Sequence, residues 1–234
     1  PFDWFLIEDL EEQRLRPYKA YIFLDAFFLT DRQRQAIEAL KRDERTLLWF
    51  YAPGFVTDAG LSVSAMRELT GFEFDEQPCG LLQAVVHEGV AGLQGHRFGV
   101  DRTQGPVFWP KAASDEAWAL YADTLQPALT CRDFGAWRSV YCGVPNLSAA
   151  LLREVYRTAD VHICCDTDDN IGANASWLCI HAASDGRKRL TLPFECPVFD
   201  VTDERLLGES IGSFEYDMEK GDTALFMLAT PPAH

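Results

Sequence analysis

Tyr18-Lys19-Ala20-Tyr21-Ile22-Phe23-Leu24, followed by Thr30-Asp31-Arg32-Gln33 and then Thr46-Leu47-Leu48-Trp49-Phe50-Tyr51, is the stretch that decides the fold. The first and last pieces are near-continuous apolar and aromatic runs of strand length, the pattern of a strand buried on both faces. Between them, Thr30 with Gln33 three residues later forms a capping box that opens a helix. Ile37, Leu40 and Ala36 make the apolar stripe of that helix, while Arg32, Arg34, Glu38, Lys41 and Arg42 fill its other face. Strand, amphipathic helix and strand with short connections make a βαβ unit, whose crossover is right-handed. The expected class is therefore α/β, built on an open parallel sheet.

Upstream, Trp4-Phe5-Leu6-Ile7 reads as a further parallel strand before a loop from Glu11 to Pro17. Downstream, Ser62 or Ser64 starts a short helix that runs through Met66 and Leu69 and ends at Gly71. From Phe72 to Trp118, scattered Gly and Pro predict loops and short strands. Trp137 to Tyr141 is a strand candidate. A second amphipathic helix follows it, with Leu147, Leu151, Leu152, Val155 and Ala159 inward and Arg153, Glu154 and Arg157 outward. Beyond Asp160 short strand candidates alternate with turn signals: Val161–Cys165, Ser176–His181, Leu190–Leu192, Val198–Val201 and Ala224–Leu228. That spacing predicts a compact antiparallel, sandwich-like β module, so the domains are expected at 1–159 and 160–234.

A chain of 234 residues can bury roughly 70% of the surface its unfolded form exposes, enough for a sizeable core. Its net charge of -15 repels phosphate backbones and anionic lipid, which argues against nucleic acid and membrane partners. No apolar run reaches the roughly 18 residues of a membrane span, and Pro1-Phe2-Asp3-Trp4 has no signal-peptide character. The chain reads as soluble. With no initiator Met, it is expected to be cut from a longer protein. The seven cysteines are odd in number and form no Cys-x-x-Cys pair, so buried free thiols in a reducing, cytoplasmic setting are expected.

A nucleophile elbow requires Gly-x-Ser-x-Gly or its Cys counterpart after a strand, and neither occurs. Cys79, in Gln77-Pro78-Cys79-Gly80, is the nearest imitation, but no clear strand precedes it. Among His87, His96, His162, His181 and His234 no pair has metal-ligand spacing, and His87-Glu88 would point to opposite faces of a strand. Asp166-Thr167-Asp168-Asp169-Asn170 lacks the Gly and distal Glu of a calcium loop and reads as a solvated turn. The turn from Asp25 to Thr30 contains no glycine, so no nucleotide cofactor is expected there. The sequence thus points to no cofactor, no metal and no catalytic residue. One surface remains. The carboxyl ends of the parallel strands carry Asp25, Phe27, Phe28, Tyr51, Pro53 and Gly54. Such a group suits either a protein interface, where aromatic residues are enriched, or a carbohydrate stacked on the rings.

The succession Pro1-Phe2-Asp3-Trp4, Tyr18 to Leu24, Leu29-Thr30-Asp31 and Leu47-Leu48-Trp49-Phe50-Tyr51-Ala52-Pro53-Gly54 resembles the trimerisation domain of family 42 β-galactosidases. Ser139-Val140-Tyr141-Cys142-Gly143, Leu151-Leu152-Arg153, Ala159-Asp160-Val161-His162 and Ala175-Ser176-Trp177-Leu178-Cys179-Ile180-His181 resemble its end and the entry to the family's small C-terminal β domain. The resemblance implies a flavodoxin-like, class I glutamine-amidotransferase-like domain without its first strand and helix. In that family the two catalytic glutamates lie in an N-terminal (β/α)8 barrel, so no residue here inherits their role. The partners it implies are that barrel and further copies in a homo-oligomer, and the role it implies is non-catalytic and accessory. The alternatives are a carbohydrate-binding module and an amidotransferase-like hydrolase.

Overall fold

The computed structural model describes residues 2–12, 15–87, 90 and 92–228. Of the residues singled out above, Pro1, Glu88 and His234 lie outside the described residues. The chain forms two compact units: Phe5–Val161, and His162–His234 together with Pro1–Trp4.

The larger unit runs β1 (Ala20–Phe23), α1 (Asp31–Glu38), β2 (Arg45–Phe50), β3 (Val56–Thr57), β4 (Gly60–Leu61), α2 (Val63–Thr70), β5 (Phe74–Gln77), β6 (Gly80–Val86), β7 (Arg97–Gln104), β8 (Val107–Pro110), β9 (Ala117–Tyr121), β10 (Pro127–Asp133), β11 (Trp137–Cys142) and α3 (Ala149–Thr158). Thr30 and Gln33 form the capping box of α1. Ser62 caps α2, and Gly71 ends it in the left-handed conformation at φ 77°.

The seven-stranded sheet has the order β1-β2-β11-β10-β9-β6-β7. Parallel pairing covers β1 to β2 and β2 to β11, as the βαβ reading requires. Because the side chains of β2 alternate, Leu47 and Trp49 join Ile37 of α1 and Met66 and Leu69 of α2 in one core. Leu48 faces the other way, into a core with Leu151 and Val155 of α3. Ring stacking of Phe23 on Trp49 at 4.5 Å, and a bond from Trp49 Nε1 to Ser139 Oγ at 3.1 Å, tie the three parallel strands together.

The rest of the sheet is antiparallel, from β11 through β10, β9 and β6 to β7. Much of it comes from the stretch read as loops and short strands. Its strands hide in the sequence because each is buried on one face only: β6 buries Gly80, Leu82, Ala84 and Val86 and leaves the residues between them half-covered. Gly99 sits at φ 89°, where a Cβ would fall 2.4 Å from the Leu82 carbonyl, beside a register shift between β6 and β7. That glycine marks a bulge within a strand rather than a loop.

The strand expected at Trp4–Ile7 does not form. A single 3-10 turn occupies Ile7–Leu10, because the Asp9 carboxylate accepts the Leu6 N–H at 2.8 Å and holds the chain in a local turn.

The smaller unit is a five-stranded antiparallel sheet of β12 (Asn170–Ala173), β13 (Trp177–His181), β14 (Gly186–Asp200), β15 (Arg205–Met218) and β16 (Thr223–Leu228), in the order β12-β13-β16-β14-β15. Two expected strands, Leu190–Leu192 and Val198–Val201, fall largely on the single strand β14. Pro193 and Pro197 do not end it, because register shifts after Thr191 and Cys196 take up the lost donors. Val161–Cys165 forms no strand beyond one bridge from Cys165 to Leu190.

The turn at Asp166–Asn170 is not simply solvated. The side chains of Asp169 and Lys188 are 1% and 2% exposed and meet at 3.0 Å. Lys188 Nζ also donates to Ser184 Oγ at 3.0 Å, and Asp169 accepts the Ala183 N–H at 2.7 Å and the Thr167 hydroxyl. Burial pushes the Asp169 carboxyl up, but the hydrogen bonds from Thr167, Ala183 and Lys188 outweigh it and hold the group below the usual carboxylate range. Its contribution to stability is therefore complete above an unfolded-state value of about 3.9 and is lost as pH falls through the lower folded value. Replacing Lys188 with Met strands a buried carboxylate and is expected to cost roughly 3–5 kcal/mol in urea unfolding followed at neutral pH. The wild-type melting temperature should fall on acidification below about pH 4 more steeply than that of Asp169→Asn.

Candidate functional site at the carboxyl ends of the parallel strands

β1, β2 and β11 end side by side, and Tyr51 occupies the first position beyond β2 with φ 58°. Its backbone N–H continues the ladder by donating to the Cys142 carbonyl at 2.8 Å. The Tyr141 hydroxyl donates to the Tyr51 carbonyl at 2.6 Å, and the Tyr51 hydroxyl donates to the Pro106 carbonyl at 2.6 Å. Phe27 and Phe108 stand edge-on to the Tyr51 ring at 6.0 and 5.8 Å, and Phe55 packs on Phe108 at 4.8 Å. The space beyond the strands is thus filled by rings whose polar ends already have partners.

Burial pushes the Tyr51 phenol up and those of Tyr121 and Tyr141 well up, so all three stay neutral donors. Tyr121 Oη spends its proton on the Phe108 carbonyl at 2.9 Å. At the end of β11, burial pushes the Cys142 thiol up to about 12, and its Sγ donates to the Val144 carbonyl at 3.4 Å. Such a thiol supplies no thiolate at neutral pH. Gly143 follows, where a Cβ would lie 2.0 Å from Tyr121 Oη, so backbone and phenol need this position bare.

The structure brings Phe27 and Tyr51 into contact. Pro53 and Gly54 are buried. Gly54 lies at φ 66° under α2, its N–H donates to the Ala26 carbonyl at 2.7 Å, and its own carbonyl accepts from Arg34 at 2.8 Å. Arg34 also donates to the Leu29 and Ala65 carbonyls, binding α1, the loop and α2 without a carboxylate. Only Asp25 and Phe28 among the six reach the surface freely. Cys79 is exposed, unlike the buried thiols expected, and no two cysteines form a disulfide. Cys131, Cys164 and Cys179 are half-buried, and the described histidines are all exposed. Among the described residues no three metal-ligating side chains converge.

A feature missing from the sequence reading adjoins this end of the sheet. Phe28 bridges Val56 in parallel, and Val56 pairs with Leu61 across the β3–β4 hairpin. These three side chains are 47%, 37% and 72% exposed. Ile22 and Leu24, on and just after the edge strand β1, are exposed as well. The outcome is an exposed apolar strip of Phe28, Val56 and Leu61 across the hairpin, and the edge strand exposes apolar side chains of its own.

Comparison with solved structures places this architecture. A β-galactosidase from Bacillus circulans sp. alkalophilus superposes with a TM-score of 0.63 at 17% identity, over 91% of this chain and 33% of that one. The fold is that of the C-terminal part of GH42 β-galactosidases. Gan42B, a GH42 β-galactosidase from G. stearothermophilus solved as a catalytic mutant, gives 0.59 at 16% identity, over 93% of this chain and 33% of that one. An α-L-fucosidase isoenzyme from Paenibacillus thiaminolyticus gives 0.53 at 12% identity, over 92% and 41%. The chain spans about a third of the length of the β-galactosidases it resembles. No protein-family model and no curated protein matches it by sequence. No helix of the described residues is long and apolar enough to cross a membrane.

Gly143→Ala tests the packing of this end. With no room for Cβ beside Tyr121, it should lower stability by about 1–3 kcal/mol in urea unfolding, and combination with Tyr121→Phe should recover part of that loss.

Proposed function

We propose that the chain is a non-catalytic accessory and assembly region of a β-galactosidase-like glycoside hydrolase, packing on a (β/α)8 barrel and on neighbouring copies. The observations that carry this reading are the exposed Phe28–Val56–Leu61 strip and the unpaired β1 edge with Ile22 and Leu24 exposed. Contiguous exposed apolar surface on an otherwise charged molecule marks a docking site, and an unpaired parallel edge strand invites a cover. The strand ends favour packing over chemistry. Tyr51, Tyr121 and Tyr141 have their hydroxyls engaged inside the protein, and Cys142 is a buried neutral thiol. An amidotransferase-like arrangement of the domain is part of this proposal.

Carbohydrate binding is the second reading, and the side chains that favour it are Asp25 and Phe28, the acceptor and ring that stay accessible. Sedimentation velocity separates the two. The wild-type chain is expected to self-associate with rising concentration, and Val56→Asp with Leu61→Asp is expected to stay monomeric without losing its fold. A wild-type chain that remains monomeric throughout, and whose tryptophan fluorescence responds saturably to galactosides, contradicts the assembly role. Galactosidase turnover by the isolated chain contradicts the non-catalytic one.

A further inference from the structure

The two edges of the seven-stranded sheet are guarded differently. At one, β7 carries Arg97, Asp101 and Arg102 and a glycine bulge at Gly99, the charges and kinks that keep an edge from pairing with another chain. At the other, the four residues of β1, Ala20-Tyr21-Ile22-Phe23, include no charge, proline or glycine. The Lys19 carbonyl accepts the Thr46 N–H at 2.8 Å, so the backbone groups of Lys19, Tyr21 and Phe23 turn toward β2. Those of Ala20 and Ile22 consequently point out of the sheet, where no strand of the described residues meets them. The side chains alternate as well. Phe23 is buried in the core, whereas Ile22 and Leu24 are 38% and 51% exposed. An open row of backbone donors and acceptors flanked by apolar side chains is a template for strand addition.

The sequence along the edge selects the strand that fits it. A twofold axis sets the same strand of two copies antiparallel. With Ile22 opposite Ile22 of the other copy, the two form a hydrogen-bonded pair through their outward backbone groups, and Ala20 falls opposite Leu24. The exposed Ile22 and Leu24 side chains then cover one another on one face. In this register Lys19 falls opposite Asp25 at both ends of the pairing. A shift of two residues puts Lys19 opposite Phe23 or Phe27 and Asp25 opposite Pro17 or Tyr21, and the match of opposite charges is lost. Asp25, just past the strand at φ 51°, is exposed. Lys19 is 59% exposed, and the carboxylate it meets within the chain, Asp160 at 2.5 Å, is 95% exposed. An ion pair so open to water is worth little, so Lys19 turns to Asp25 of another copy at small cost. The edge adds nothing to the net charge of -15, since Lys19 and Asp25 cancel.

We infer that β1 pairs antiparallel with β1 of a second copy about Ile22, joining two sheets through this edge, with Lys19 and Asp25 setting the register. The inference rests on the assembly role proposed above and names the strand by which copies meet. Four residues of edge are too few to hold a dimer alone, so the Phe28–Val56–Leu61 strip is needed as well. Sedimentation equilibrium of the 234-residue chain tests it. Lys19→Glu alone and Asp25→Lys alone should each weaken self-association about tenfold, because each sets like charges opposite one another. An equimolar mixture of the two should recover wild-type association, since both pairs across the copies are then of opposite charge. Ile22→Lys, at an exposed position whose N–H points away from β2, should stay monomeric while its circular dichroism spectrum is unchanged. Single variants that associate like the wild type, or a mixture that associates no better than its components, overturn the inference and leave the assembly role standing. A wild-type chain that stays monomeric at every concentration overturns both.

Discussion

Everything at the carboxyl end of the larger sheet depends on how the chain leaves β2. Tyr51 turns there with positive φ, its N–H completing the ladder to Cys142 and its carbonyl capped by Tyr141. Its hydroxyl reaches the Pro106 carbonyl, in the connection between β7 and β8. One residue thus satisfies backbone groups of the parallel strands and of the antiparallel half. Buried backbone acceptors left unmet are costly, so the aromatic packing of Phe27, Phe55 and Phe108 follows from keeping this junction dry.

That junction also explains the character of the surface. In open α/β sheets the carboxyl ends of the strands are where ligands enter. Here the entry is occupied by phenols already engaged with carbonyls, and beside the exposed Asp25 the surface carries apolar side chains: Phe28, Val56 and Leu61, with Ile22 and Leu24 on the edge strand. An α-L-fucosidase shares the fold with β-galactosidases, which underlines that the fold sets no substrate.

The parallel core was legible because its information is local. The capping box of Thr30 and Gln33, the apolar run of β2 and the glycine at position 71 each specify their element within a few residues. The antiparallel half was legible only as loops and short strands, since β6 alternates, β7 is largely exposed at an edge, and Gly99 looks like a loop until its bulge is seen. On β14, Pro193 and Pro197 broke the pattern without breaking the strand. At the candidate site, Phe27 beside Tyr51 could be read from strand ends alone. The burial of Pro53 and Gly54 could not, because it depends on Arg34 and α2 closing over them. Nor could the strip, because two-residue strands such as β3 and β4 carry no periodicity.

The central claim is that the strip is covered in the protein's natural setting. Photo-cross-linking from a benzophenone side chain placed at position 61 of the natural protein tests it most directly, with a control at the exposed Glu209 of the smaller unit. The account predicts efficient cross-links from position 61 to a barrel-type glycosidase region or to a second copy, and few from position 209. Equal, sparse cross-linking from both positions would contradict it.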